Sequence, residues 1–227
     1  MSIPALPIDL SEPRETRQTV HYYIVEGDSE ANYISQLLKL ARELGDPTET
    51  WKVILAGGGK YANILQKVHT FNEENPSKEA FIWMDDDLLC RDKYNMQCSN
   101  DRLAVEDLHP LLNIHKFEDF IIMHFPADVA ERWQQTCENL ISDNVEGQPN
   151  YINYPFEKKR FSQPFLNFLR SAGTPRYRKG QLPFESLDLQ RIKHLIFAQS
   201  NNQIFCKSDI VGHIERLLKG AGIQLED

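Results

Sequence analysis

The sequence has no close pair of cysteines. Its four, Cys90, Cys98, Cys137 and Cys206, form no C-x-x-C, so neither a zinc knuckle nor a disulfide framework is indicated and reduced thiols are expected. No apolar run approaches the roughly 18 residues that cross a bilayer. The opening stretch from Met1 to Arg17, broken by Pro4, Pro7 and Pro13, lacks the apolar region of a secretory leader. The expected location is therefore the cytoplasm, with no membrane partner. No internal repeat or low-complexity segment is evident. An excess of base is also missing: 25 Lys and Arg against 33 Asp and Glu leave a formal net charge of −8. That excludes a surface coated in positive charge but not a local basic groove. What remains, 41% apolar and 26% charged residues over 227 positions, is ordinary for a globular chain and enough for one sizeable core.

Tyr22 to Val25 are β-branched or aromatic, as in a buried strand, and the run stops at Glu26-Gly27. A helix is expected from Ser29 to Leu44, with Ile34, Leu37, Leu38 and Ala41 on one face and Gly45 and Pro47 ending it. Ligands of open α/β sheets gather at the carboxyl ends of strands, which makes Glu26 a candidate site residue. Gly27 is read as letting the chain turn there without a Cβ clash. The competing reading is a solvated turn, with Asp28 or Ser29 capping the helix. A second strand, Trp51 to Leu55, runs into Ala56-Gly57-Gly58-Gly59-Lys60, and Tyr61, Ile64, Leu65 and Val68 mark the next helix. That loop could cradle an anion on backbone N–H groups, with Lys60 adding charge. The spacing is not that of a P-loop, and such glycines are more often structural. A third strand, Glu79 to Met84, ends in Asp85-Asp86-Asp87. Strand parity places Asp85 and Asp87 on one side, where two carboxylates could converge on a hard cation.

Residues 88–109 read as a polar excursion with a short helix around Arg102 to Leu108, followed by a strand from Leu111 to Ile114. Phe117, Phe120, Ile121, His124 and Phe125 then share a helical face, so His124 is expected as a hydrogen-bonded core residue. Glu118 and Asp119 fall in that helix's first turn, where carboxylates suit the dipole whatever their function. Helix resumes at Ala127, and Gly147 to Pro155 reads as a loop. Between Glu157 and Gly180 the bases Lys158, Lys159, Arg160, Arg170, Arg176, Arg178 and Lys179 interleave with Phe156, Phe161, Phe165, Phe168 and Tyr177. Cations for phosphates beside rings for bases suit nucleic acid, although most of these phenylalanines are expected in the core. Two helices, Leu187 to Gln199 and Ser208 to Lys219, close the chain. The expected organisation is an arm over 1–18, an α/β core over 19–126 with a mostly parallel sheet flanked by helices, and a helical part over 127–227 packed on it.

Val25-Glu26-Gly27-Asp28-Ser29-Glu30 is similar to the V-E-G-x-[ST]-[DE] opening of the nuclease branch of TOPRIM domains, and Asp85-Asp86-Asp87 matches their D-x-D. The stretch from Phe117-Glu118-Asp119 to His124-Phe125, and the later Tyr177-Arg178-Lys179-Gly180, resemble in the same order segments of RloB-like proteins of phage-defence operons. The opening is one residue shorter than in the RloB pattern and closer to the OLD-type form. The proline and small residue that usually precede the F-E segment are missing. The resemblance implies a Rossmann-like TOPRIM fold that binds Mg2+, or Mn2+, through Glu26, Asp85 and Asp87, with Glu30 and Glu118 as further ligands. It implies cleavage of phosphodiesters in DNA or RNA, with Lys60 and Lys179 neutralising phosphate charge beside the acids. Lys158, Lys159, Arg160, Arg176 and Arg178 are expected either to join Lys60 and Lys179 as nucleic-acid contacts or, with Lys179, to dock a partner protein, and only Arg178 and Lys179 fall in a matching motif. The family context adds an ABC/OLD-type ATPase that restrains a toxic effector, and it admits a homodimer. The principal alternative is a non-catalytic sensor or assembly subunit bound to that ATPase. A glycosyltransferase would also use D-x-D but leaves Glu26-Gly27 unexplained, and an aspartyl-nucleophile phosphatase expects threonine where Leu89 stands.

Overall fold

The structure is a computed structural model that describes residues 18–114, 116–142, 158–174, 181–201 and 207–225. Strand β1 (Thr19–Val25) is followed by helix α1 (Asp28–Leu44), β2 (Glu49–Leu55), α2 (Tyr61–Glu74) and β3 (Ala80–Asp85). Next come α3 (Asp87–Tyr94), α4 (Asn100–Asp107), β4 (Leu111–Ile114), α5 (Phe117–Ile122) and α6 (Ala127–Ser142). The chain continues with α7 (Lys158–Ser171), α8 (Leu189–Ser200), β5 (Lys207–Ser208) and α9 (Val211–Gly220). These elements form an α/β fold around a sheet of order β2-β1-β3-β4-β5. The pairs β1 with β2, β1 with β3 and β3 with β4 are parallel, and β5 joins β4 antiparallel.

Strand parity sorts the core into two layers. Tyr23, Val25 and Trp83 point to the side covered by α1, α5 and the C-terminal helices, in one cluster that runs from Tyr23 to Ile223. Ile24, Ile82 and Met84 point to the other side, where α2 supplies Tyr61, Ile64 and Phe71 and α4 supplies Val105. Burial on both faces explains why β1 and β3 read as continuous apolar runs rather than alternating ones. The connection from β1 leads outward to β2, and the next crosses back past β1 to β3. The carboxyl ends of β1 and β3 therefore flank a topological switch point, where such sheets open a crevice.

Three expectations are corrected here. The excursion over 88–109 holds two helices, α3 and α4, and the second is capped by Ser99, whose Oγ accepts the Arg102 N–H at 3.1 Å. Ser208 does not open the last helix. It pairs with Asn113 in the short strand β5, and α9 begins only at Val211. The parity argument for the three aspartates also fails, because the strand ends at Asp85 and the chain turns helical at once: Asp86 is the N-cap of α3, with φ −89° and ψ −3°. Among the described residues no helix is long and apolar enough to cross a membrane. Residues 1–17 of the expected arm over 1–18, and the loop from Gly147 to Pro155, lie outside the described residues.

Candidate metal centre at the switch point

Glu26 follows the last residue of β1, and Asp85 is the last residue of β3, the strand paired with β1 in a register that sets Val25 opposite Trp83. A hydrogen bond ties the two ends together: Glu26 Oε1 accepts the backbone N–H of Asp85 at 2.9 Å. Glu30 stands in the first turn of α1, where its Oε2 accepts the Gly27 N–H at 3.2 Å. That contact is the glutamate half of a capping box, so Glu30 is held at the helix entrance rather than left in solvent. Neither Asp28 nor Ser29 caps the helix; its N-cap is Gly27. Glu118, in the first turn of α5, completes the set. Glu26, Glu30, Asp85 and Glu118 line one pocket of about 610 Å³ together with Gly57, Gly58, Gly59 and Phe117.

Of the glycines beside the acids, the crowded one is Gly59 rather than Gly27, while Gly57 and Gly58 hold positive φ angles of 80° and 125°. Gly27 has extended backbone, and a Cβ there would meet only Glu30 Oε2 at 3.8 Å, so the expected clash is not present. A Cβ on Gly59 would instead stand 2.3 Å from Glu26 Oε2. The loop is also stitched to the end of β1, since Ala56 N–H donates to Val25 O and Gly58 N–H to Glu26 O, each at 2.8 Å. The Gly58 amide is thereby used within the fold, and the loop forms part of the pocket wall.

Four carboxyl groups at such close quarters oppose one another's ionisation. Glu30 is pushed up to about 8, first by burial and then by the charges of Glu26 and Glu118. Asp85 is raised well above the usual carboxylate range, again by burial first and then by Glu26, Glu30, Glu118 and Asp87. Lys116 lies beside this cluster, buried, and forms an ion pair with Asp87. Burial alone would lower its pKa, but Asp87, Asp85 and Glu118 outweigh it and the net shift is upward. Asp87 is thus directed to Lys116 and is absent from the pocket lining, contrary to the expectation that Asp85 and Asp87 converge.

Lys60 is exposed at the N-cap of α2 and does not line the pocket. Lys158, Lys159 and Arg160 begin α7, but their side chains, and all of Arg176, Arg178 and Lys179, lie outside the described residues. Of the interleaved aromatics, Phe165 and Phe168 are buried as expected. His124 is fully buried, with Nε2 2.9 Å from Tyr33 Oη and Nδ1 3.1 Å from Phe120 O, a core residue as its helical face implied. Asp119, the neighbour of Glu118, is fully buried and accepts the Trp133 indole N–H at 2.7 Å. Sequence reasoning missed Lys116 and Asn113. A lysine before an apolar helix and an asparagine inside a strand look unremarkable until β4 lies beside β3.

Among the described residues no group of three or more His, Cys, Asp or Glu side chains is arranged so that it could hold a metal ion. The donor set nevertheless fits a hard divalent ion. All the donors are carboxylates, they crowd an open pocket, and Mg2+ binds through one or two carboxylates while keeping several waters. Comparison of the chain with protein-family models, with curated proteins and with solved structures finds no match.

Proposed function

We propose that the chain is a divalent-metal-dependent nuclease of the TOPRIM type that acts on phosphodiesters of DNA or RNA. The observation that carries this reading is the gathering of Glu26, Glu30, Asp85 and Glu118 around one open pocket at the switch point of a mostly parallel sheet. Glu26 and Asp85, joined through the Asp85 N–H, are the ligands assigned to Mg2+ or Mn2+, with Glu118 and Glu30 beside them. When bound, the ion supplies Lewis-acid polarisation of the phosphoryl oxygen and stabilises the departing oxygen. The rest falls to the chain. Glu26 is assigned to accept a proton from the attacking water or to hold a second ion, and Gly59 leaves room for its carboxylate. Lys116 holds Asp87 aside, which leaves Asp85 as the member of the D-x-D that lines the pocket. The presence of Glu26 in the same pocket as Asp85 favours this reading over a glycosyltransferase, which gives that glutamate no task. The order of the later motifs extends the proposal to a phage-defence effector restrained by an ATPase, with Lys179 and the neighbouring bases on the nucleic acid.

The test uses the full chain with Mn2+ or Mg2+ on supercoiled plasmid, single-stranded DNA and RNA, alone and with an activated ATPase encoded beside it. Expected are metal binding by calorimetry and metal-dependent cleavage of at least one substrate, both lost in Asp85→Asn. Metal binding without cleavage under any of these conditions would favour the sensor subunit instead. Absence of metal binding would remove both readings.

A further inference from the structure

One amide connects the pocket to the far edge of the sheet. Asn113, in the middle of β4, is fully buried, and its side chain makes three hydrogen bonds. Its Oδ1 accepts the Trp83 Nε1–H at 2.9 Å and the Ser208 Oγ–H at 2.6 Å. Its Nδ2 donates to Asp85 Oδ1 at 3.1 Å. The orientation of the amide is not arbitrary. An indole N–H can only donate, so the atom facing Trp83 must be the oxygen, and the amino group must then face Asp85. Trp83 is itself fully buried and lies two residues before Asp85 on β3. Ser208, 1% exposed, comes from β5 at the register position opposite Asn113.

We infer that Asn113 is a positioning residue for Asp85. It fixes one carboxylate oxygen by donation, and it is locked in turn by Trp83 and by a serine that the C-terminal part of the chain lays against β4. The strand β5 is thereby a working part of the pocket, although it lies two strands away from β3. Hydrogen bonds of this outer kind hold metal-ligating carboxylates in the orientation that binds, and their loss weakens binding without removing a ligand. The inference rests on the assignment of Asp85 as a metal ligand.

Asn113→Asp separates positioning from a merely structural role. While ionised, the new carboxylate still accepts from Trp83 and Ser208 but cannot donate to Asp85; if protonated its O–H would donate, so affinity is compared across a range of pH. It also adds negative charge near the pocket, which by attraction alone would tighten cation binding. Mn2+ affinity is measured by calorimetry on the full chain, with circular dichroism and melting as controls on folding. The expected result is a loss of roughly tenfold or more in affinity with the fold retained. Ser208→Ala changes no charge and leaves the Trp83 contact in place, and a smaller loss of about threefold is expected. A folded Asn113→Asp that binds Mn2+ as well as or better than the wild type overturns the inference. If that variant does not fold, a folded Ser208→Ala with wild-type affinity overturns it. A wild-type chain that binds no Mn2+ removes the metal reading itself and the inference with it, a result distinct from either variant outcome.

Discussion

At the scale of single residues, the centre combines one contact that sequence made readable with one that it did not. Glu26 stood out because an acid follows an apolar run, and Asp85 because three acids end another. Glu26→Gln keeps an acceptor for the Asp85 N–H while removing one of the mutually repelling charges. The melting temperature of the metal-free protein should therefore stay level or rise, whereas Mn2+ affinity should fall by roughly tenfold or more. A large drop in melting temperature without metal would instead assign Glu26 a structural role. Gly59 gave no such signal, since three glycines in a row do not say which of them is crowded. Gly59→Ala would press a Cβ onto the Glu26 carboxylate. The atoms displaced are the far end of a side chain, so the expected stability cost is small, within about 1 kcal/mol. The metal site should suffer more, and calorimetry beside a urea titration would show whether affinity and stability separate in this way.

Elements were readable where periodicity was long and unreadable where two short elements met. Helix α1 showed four apolar positions on one face and β3 an unbroken apolar run, so both lie within about one residue of their expected bounds, whereas β1 starts at Thr19, ahead of the expected Tyr22. The parity of Asp85 and Asp87 assumed that the strand continued, and nothing local announces that α3 starts one residue after Asp86. The two-residue strand β5 was equally silent, because its existence depends on Asn113 ninety-five residues earlier. Helix α5 and the turn after it carry a measurable consequence in His124. Burial lowers this histidine from 6.5 to about 3, with Arg191 and His194 opposing its charge and the Phe120 and Ile121 backbone favouring it. Tyr33 on α1 and the Phe120 and Phe184 rings complete its surroundings. Between those two pH values the unfolded chain binds a proton that the folded chain refuses. The stability that neutral His124 confers is thus present above pH 6.5 and is lost as pH falls, by about 1.4 kcal/mol per pH unit, or about 2 kcal/mol by pH 5. The raised carboxyl of Glu30 titrates with the opposite sign, so the comparison is between wild type and His124→Gln, in which that contribution cancels. Urea midpoints measured from pH 7.5 to 5 should fall more steeply for the wild type, and parallel curves would reject this account.

At the scale of the whole molecule, the expected division near residue 126 describes chain order better than it describes packing. The larger hydrophobic cluster joins Tyr23, Tyr33 and Trp83 to Trp133, Phe165, Leu195 and Leu217, so the C-terminal helices fill the same core that the sheet begins. Polar contacts cross the same boundary. Asp119 is buried against the Trp133 N–H, Tyr23 Oη lies 2.7 Å from His213 Nδ1, and Gln36 Oε1 accepts the Leu187 N–H at 2.9 Å. Cutting after residue 126 would expose one apolar face of the sheet and of α1, and it would strand a buried carboxylate without its indole donor. Each fully buried large side chain left in water forfeits about 1.5 to 3 kcal/mol, and total stabilities of single domains are only about 5 to 15 kcal/mol. Loss of a few such residues therefore exceeds what the remaining half can supply. A fragment of residues 18–126 should show no cooperative thermal transition, weak near-ultraviolet dichroism and strong binding of an apolar dye, whereas the full chain should unfold in a single step. A cooperative melt with native-like aromatic dichroism in the fragment would mean that the sheet and its first helices form a self-sufficient core. In that event β5 and Ser208 would be additions to a pocket already formed, not part of what forms it.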